Sequence, residues 1–122
     1  MKLMKKHGLH IVADFYGCNF YFFKGKTKKQ IKETFSKIIS DNNLHELGNF
    51  YYFFSGRDSF TTVISLAESH ITIHTWPEDE CVFIDIFVCN YSCNQNKNAK
   101  SIFKEITKIF LPKKIKKSFI KR

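Results

Sequence analysis

The run Ser69-His70-Ile71-Thr72-Ile73-His74-Thr75-Trp76-Pro77 carries the strongest structural pattern in the 122-residue chain. Its two isoleucines alternate with polar residues, which is the period-two pattern of a strand buried on one face. Both histidines then lie on the opposite face of that strand. The proline ends the strand because it cannot donate a hydrogen bond to a neighbouring strand.

Other apolar, β-branched or aromatic segments predict further strands on both sides of this run. The turn residues between 55 and 59 and the loop Trp76–Glu80 separate neighbouring strands. An aromatic run at Phe20–Phe23 is expected to be extended, and the end of the chain could add a short final strand. The predicted strands are His7–Tyr16, Asn49–Phe54, Phe60–Ala67 and Cys81–Cys89.

Two helices complete the expected fold. Thr27 is suited to cap a helix that runs to about Ser40, and Ala99–Leu111 has the apolar spacing of an amphipathic helix that ends before Pro112. The order of elements predicts an α+β fold, a mostly antiparallel sheet with both helices packed on one face as an α/β sandwich. The uncovered sheet face would need a partner, which favours a dimer.

Length, composition and charge restrict the class of protein. A chain of 122 residues fits a single domain. Its 43% hydrophobic residues are enough to form a packed core, so we do not expect a disordered chain. The net charge of +9 is uneven: Pro112–Arg122 holds six basic and no acidic residues, whereas Asp58–Asn96 carries −6. This is not a uniformly basic surface, so nucleic acid is not expected as the primary partner.

The ends of the chain and its thiols indicate the compartment. No apolar run approaches the length of a membrane helix, and none follows the charged Met1–Gly8, so we expect no membrane partner, no signal peptide and a cytoplasmic protein. Four cysteines occur without a CxxC pair and are expected to be mostly reduced. A zinc site from His70, His74 and a cysteine is conceivable, but HExxH spacing is absent and we expect no metal.

The segment Leu66–Glu78 resembles the signature of the prokaryotic S-adenosylmethionine decarboxylases, pyruvoyl-dependent enzymes that are made as proenzymes. Asp85–Cys89 resembles the family's strand with a catalytic cysteine. His7–His10 and Asp14–Cys18 are similar to its N-terminal strand. The resemblance covers roughly residues 7–111 in element order.

The resemblance implies self-cleavage between Glu68 and Ser69 into a β chain, residues 1–68, and an α chain, residues 69–122. The Ser69 hydroxyl would attack the Glu68 carbonyl, and elimination and hydrolysis would convert Ser69 into the covalent pyruvoyl cofactor that forms a Schiff base with the substrate amine. Decarboxylated S-adenosylmethionine would supply the aminopropyl group for the synthesis of polyamines such as spermidine.

Further residues acquire roles through the same resemblance. His74 matches the base of the processing reaction, and Cys89 matches the proton donor of decarboxylation. Glu78 matches the carboxylate that binds the ribose hydroxyls. Weaker matches assign Phe54 to adenine stacking and Ser59 to assistance in processing, while the role of His70 stays open.

Other functions stay open at this point. Asp58, in the acidic middle of the chain, could pair with a cationic substrate, and some relatives decarboxylate arginine or ornithine with the same pyruvoyl apparatus. A non-catalytic binding module would use the basic tail, and a regulatory homologue would bind an active partner without processing. The resemblance also implies a homodimer of processed units with sites near the subunit interface.

Overall fold

A computed structural model describes residues 7–90 and 93–122. In chain order the elements are β1 Gly8–Tyr16, a 3-10 turn at Tyr21–Phe23, α1 Lys28–Asp41, β2 Glu46–Phe53, β3 Phe60–Leu66, β4 Ser69–Trp76, a 3-10 turn at Pro77–Asp79, β5 Cys81–Cys89, α2 Asn96–Phe110 and β6 Lys114–Lys121. The six strands form one antiparallel sheet in the order β2-β3-β4-β5-β1-β6. The four strands β2 to β5 are neighbours both along the chain and in the sheet.

The two helices lie close to their predicted positions. Thr27 caps α1 in a reciprocal arrangement, in which its hydroxyl accepts from the Gln30 amide and the Gln30 side chain accepts from the Thr27 amide. The helix α2 begins at Asn96, three residues before the predicted start, and ends where Leu111 takes a positive φ of 45° ahead of Pro112. Within the part of the chain that the structure describes, no helix is long and apolar enough to cross a bilayer.

One hydrophobic core joins both helices to one face of the sheet, as the sequence predicted. Alternate residues of each central strand point into it, and the helices contribute their apolar stripes. The opposite face of the sheet, which we call the outer face, is covered by no other element among residues 7–90 and 93–122. It exposes the large apolar side chains Val12, Phe50, Tyr52, Val63, Trp76 and Phe83.

The strand predicted at Asn49–Phe54 is β2, which begins three residues earlier, at Glu46, and ends at Phe53. Two other segments differ in conformation or length from the sequence-based expectation. Phe20–Phe23 was expected to be extended, but it forms a 3-10 turn that turns Phe23 into the core. The basic tail forms an eight-residue edge strand, β6, paired with β1, which is longer than the short strand considered. Lysines on an exposed edge are a common protection against further strand pairing, and they give the charged tail a structural role.

Candidate active site

The connection between β3 and β4 is a two-residue turn made by Ala67 and Glu68. Such tight hairpins favour glycine or asparagine at positive φ, and this turn contains neither. The positive φ falls instead on Ser69, at 142°. This backbone conformation is rare for a residue with a side chain, so the peptide between Glu68 and Ser69 is a strained point of the sheet.

The carbonyl group of that same peptide has a fixed partner. The backbone N–H of Cys89, at the end of β5, donates to the Glu68 carbonyl oxygen at 2.8 Å. A hydrogen-bond donor on a carbonyl oxygen withdraws electrons from its carbon and stabilises negative charge that develops on the oxygen. The structure therefore brings together Glu68, Ser69 and Cys89, three residues that the sequence predicted for one site.

The side chain of Glu68 is held by His45, which precedes β2. The His45 imidazole Nδ1 donates to one carboxylate oxygen at 2.8 Å, and the His45 backbone N–H donates to the other at 3.1 Å. Burial opposes ionisation of this carboxyl group, but these hydrogen bonds outweigh it and lower the pKa of Glu68 below its ordinary value. His45 was missed in the sequence because no local pattern links it to a residue 23 positions away.

His74 has a hydroxyl partner that was also missed. On the outer face, the Thr61 hydroxyl and His74 Nδ1 lie 2.5 Å apart, because these two residues are directly paired across β3 and β4. The serine predicted to assist processing, Ser59, lies in the preceding loop, where its carbonyl oxygen accepts from the Phe54 amide. Strand alternation from Phe60 would have placed Thr61 on the face of His74.

A cavity of about 400 Å³ opens beside His74. Phe54 and Trp76 form apolar walls, and Glu78 lies at the rim. Trp76 is braced by an edge-to-face contact with Phe83, at 4.8 Å between ring centroids. An aromatic slot with a single carboxylate suits a flat heterocycle carrying hydroxyl groups.

Asp58 does not line that cavity. It lines another cavity, together with Lys24 and Arg57. The structure brings together Phe54, His74 and Glu78 but leaves Asp58 outside.

The residues thus fall into two groups at opposite ends of β4. His74 follows Ser69 by five residues on one continuous strand. At a rise of about 3.3 Å per residue, their backbones lie about 16 Å apart. Within one chain, His74 is too far from Ser69 to take its proton.

His70 belongs to a third group on the outer face. Its Nε2 lies 3.4 Å from Asp85 Oδ1, and His10 Nε2 lies 2.6 Å from the same oxygen. The potential ligand atoms of these three side chains lie within 4.8 Å of one another. Arg122 lies 3.4 Å from His10 Nδ1. A guanidinium only donates, so this contact places the acceptor of His10 at Nδ1 and its N–H at Nε2, beside Asp85.

The four thiols are all free. Burial, with smaller contributions from Cys81 and Glu80, raises the pKa of Cys18 to about 11. That thiol is therefore protonated at neutral pH and packs as a small apolar group. Cys89 is half-buried beside the strained peptide, and Cys93 is exposed.

Comparison with known proteins agrees with this arrangement. The family model described as S-adenosylmethionine decarboxylase matches residues 9–122. An S-adenosylmethionine decarboxylase proenzyme of Hydrogenobaculum sp. (strain Y04AAS1) is 31% identical over 113 residues, which is 93% of this chain and 82% of that protein. One from Clostridium botulinum (strain Langeland / NCTC 10281 / Type F) is 34% identical over 102 residues, 84% of each.

A solved structure is similar over almost the whole fold. The crystal structure of the adenosylmethionine decarboxylase from Aquifex aeolicus VF5 aligns with a TM-score of 0.78 and 33% sequence identity. The alignment covers 98% of this chain and 92% of that one. Because the family model matches almost the whole sequence and the fold agrees, the chain belongs to the S-adenosylmethionine decarboxylase family.

Proposed function

We propose that this chain is a pyruvoyl-dependent S-adenosylmethionine decarboxylase that processes itself between Glu68 and Ser69. Its product would donate the aminopropyl group in polyamine synthesis. One observation carries the proposal: the peptide bond to be cut joins a residue with a rare positive φ to a carbonyl that already accepts a hydrogen bond from Cys89. Strain raises the energy of the intact peptide, and the donor lowers the energy of the oxyanion formed during attack.

Processing converts the chain into residues 1–68 and 69–122. The Ser69 Oγ adds to the Glu68 carbonyl carbon, and the peptide C–N bond breaks to leave an ester and a free amine. Removal of the Ser69 Cα proton then expels the Glu68 carboxylate and leaves dehydroalanine. Its imine tautomer takes up water and releases ammonia, which gives the pyruvoyl group without any oxidant or reductant.

The proton transfers need a base, and the histidine suggested for this role lies at the far end of β4 within the same chain. His74 is suited to the role, because the Thr61 hydroxyl at Nδ1 orients the imidazole, and in the tautomer with the proton on Nδ1 the other nitrogen, Nε2, is the base. Since His74 lies about 16 Å along the same strand, a second copy must supply it. We propose that two copies share each active site.

The outer face supports such a pairing. Its exposed apolar side chains form a surface that a soluble monomer rarely leaves uncovered. A two-fold axis between the sheets and perpendicular to the strands keeps β4 over β4 but reverses its direction. The Ser69 end of one copy then faces the His74 end of the other, about 10 Å away as in other stacked sheets.

The residues present fit the pyruvoyl group, because Ser69 is its precursor and Cys89 lies next to it. When formed, the group supplies the carbonyl that holds the substrate amine and withdraws the electrons left by CO2. The Cys89 thiol, half-buried beside Ser69, would deliver a proton to the substrate α-carbon. Glu78 accepts hydrogen bonds from the ribose hydroxyls, while Phe54 and Trp76 enclose the adenine.

The arginine or ornithine alternative is less well supported. It depended on Asp58, whose carboxylate lies outside the cavity formed by Phe54, Trp76 and Glu78 and shares its own with two cationic residues. The aromatic walls suit a nucleoside better than a short cationic chain.

Purified protein tests the proposal directly. Mass spectrometry is expected to find two fragments, and borohydride is expected to reduce the end of the one that begins at residue 69. Release of labelled CO2 should be fastest from carboxyl-labelled S-adenosylmethionine, with arginine and ornithine as comparison substrates. A folded dimer that stays intact and releases no CO2 would contradict the proposal.

A further inference from the structure

We infer that His45 is a positioning residue for self-cleavage, which holds the Glu68 carboxylate so that the adjoining peptide stays in its reactive conformation. This inference rests on the proposed function, since it concerns the same bond. It adds a residue outside the motif that suggested cleavage. His45 lies before β2, on the other side of β3 from the site of the cut.

Three hydrogen bonds join His45 to the cleavage turn. Two come from its Nδ1 and backbone N–H to the Glu68 carboxylate, at 2.8 and 3.1 Å. The third runs the opposite way, from the Ala67 backbone N–H to the His45 carbonyl oxygen at 2.8 Å. Glu68, the residue before the cut, is thus held through its own carboxylate and through the backbone N–H of the preceding residue, Ala67.

The opposite side of the same residue is also held. The Glu68 carbonyl oxygen accepts from Cys89 on β5, so contacts from β5 and from the segment before β2 act on one residue. A short hairpin with an unfavourable φ at Ser69 would otherwise relax by rotating the Glu68–Ser69 peptide. Because strained conformations persist only when surrounding contacts over-determine them, His45 and Cys89 together preserve this one.

The charge of Glu68 gives His45 a second effect. Attack by Ser69 places negative charge on the Glu68 carbonyl oxygen, and the Glu68 side chain is already ionised. An unpaired carboxylate would oppose that charge, whereas donation from the imidazole reduces the repulsion. The Glu68 side chain is only 14% exposed, so water alone would solvate its negative charge poorly. The His45 side chain is 73% exposed, so its substitution should not disturb the fold.

The test follows the cleavage of purified, unprocessed precursor over time in four versions: wild type, His45→Asn, His45→Gln and His45→Ala. Asparagine places its amide nitrogen where Nδ1 lies, and glutamine places it near Nε2. Wild type and His45→Asn are expected to cleave at similar rates, while His45→Ala and His45→Gln are expected to be slower by about tenfold.

A double substitution separates this contact from a general change in folding. Glu68→Gln should slow cleavage in the wild-type background, but it should cause no further loss in His45→Ala, because the contact is already lost there and the substitution removes the unpaired charge. Equal rates in all four versions, or full additivity of the two substitutions, would overturn the inference while leaving the proposed function intact. A wild-type chain that never cleaves would overturn both.

Discussion

The two ends of β4 are built on different principles. At the Ser69 end, backbone groups dominate: a positive φ, an amide from Cys89 and a turn without glycine surround the peptide to be cut. At the other end, side chains dominate, with His74 bonded to Thr61 beside a preformed aromatic cavity. In the proposed function, one end supplies the peptide to be cut and the other supplies the base and the binding cavity, and a strand of eight residues keeps them apart.

Mixed dimers offer the sharpest test of this separation. Ser69→Ala and His74→Ala are each expected to remain uncleaved when expressed alone, because one lacks the nucleophile and the other the base. Co-expression should restore cleavage of the His74→Ala chain only, since its Ser69 then faces the intact His74 of its partner. Differently tagged chains and mass spectrometry would identify which one is cut.

The result is decisive in both directions. Cleavage of His74→Ala alone would exclude His74 as the base. If mixed dimers form but neither chain is cut, His74 acts within its own chain and the proposed reversal of β4 across the interface is wrong. The dimer mass, measured by light scattering, provides the control that both chains associate.

A second comparison lies within Cys89, whose backbone and side chain have separate roles. Cys89→Ala keeps the amide that donates to the Glu68 carbonyl, so cleavage should continue at a similar rate. It removes the thiol, so decarboxylation per pyruvoyl end should fall by about 10²- to 10⁴-fold, the usual effect of losing a general acid. Processing and CO2 release are measured on the same preparation, and parallel loss of both would contradict the division.

Much of this arrangement could be predicted from residue patterns. Alternation around Ile71 and Ile73 defined β4, and Thr27 marked the start of α1, because both depend on local geometry. The separation of Ser69 and His74 also follows from their spacing on a strand. This separation is easily overlooked, since residues that are close in sequence are readily assumed to be close in space.

Other parts depend on contacts between distant segments and have no local pattern. His45 reaches Glu68 across 23 positions, and its role requires knowing that β2 pairs with β3. Ser59 lies in the loop before Phe60, where no strand period shows which side chain faces His74. In the folded sheet, cross-strand pairing places Thr61 directly opposite His74.

The hydroxyl of Thr61 should therefore have a measurable but smaller effect than the residues above. Thr61→Val keeps the branched shape while removing the partner of His74 Nδ1, so the imidazole loses the contact that fixes its orientation. Cleavage is expected to slow by about tenfold, the effect of one hydrogen bond. Thr61→Ser restores the hydroxyl and should restore the rate, while Ser59→Ala should leave it unchanged. If Ser59→Ala slowed cleavage and Thr61→Val did not, the assisting hydroxyl would belong to the loop, and His74 would be oriented by the sheet alone.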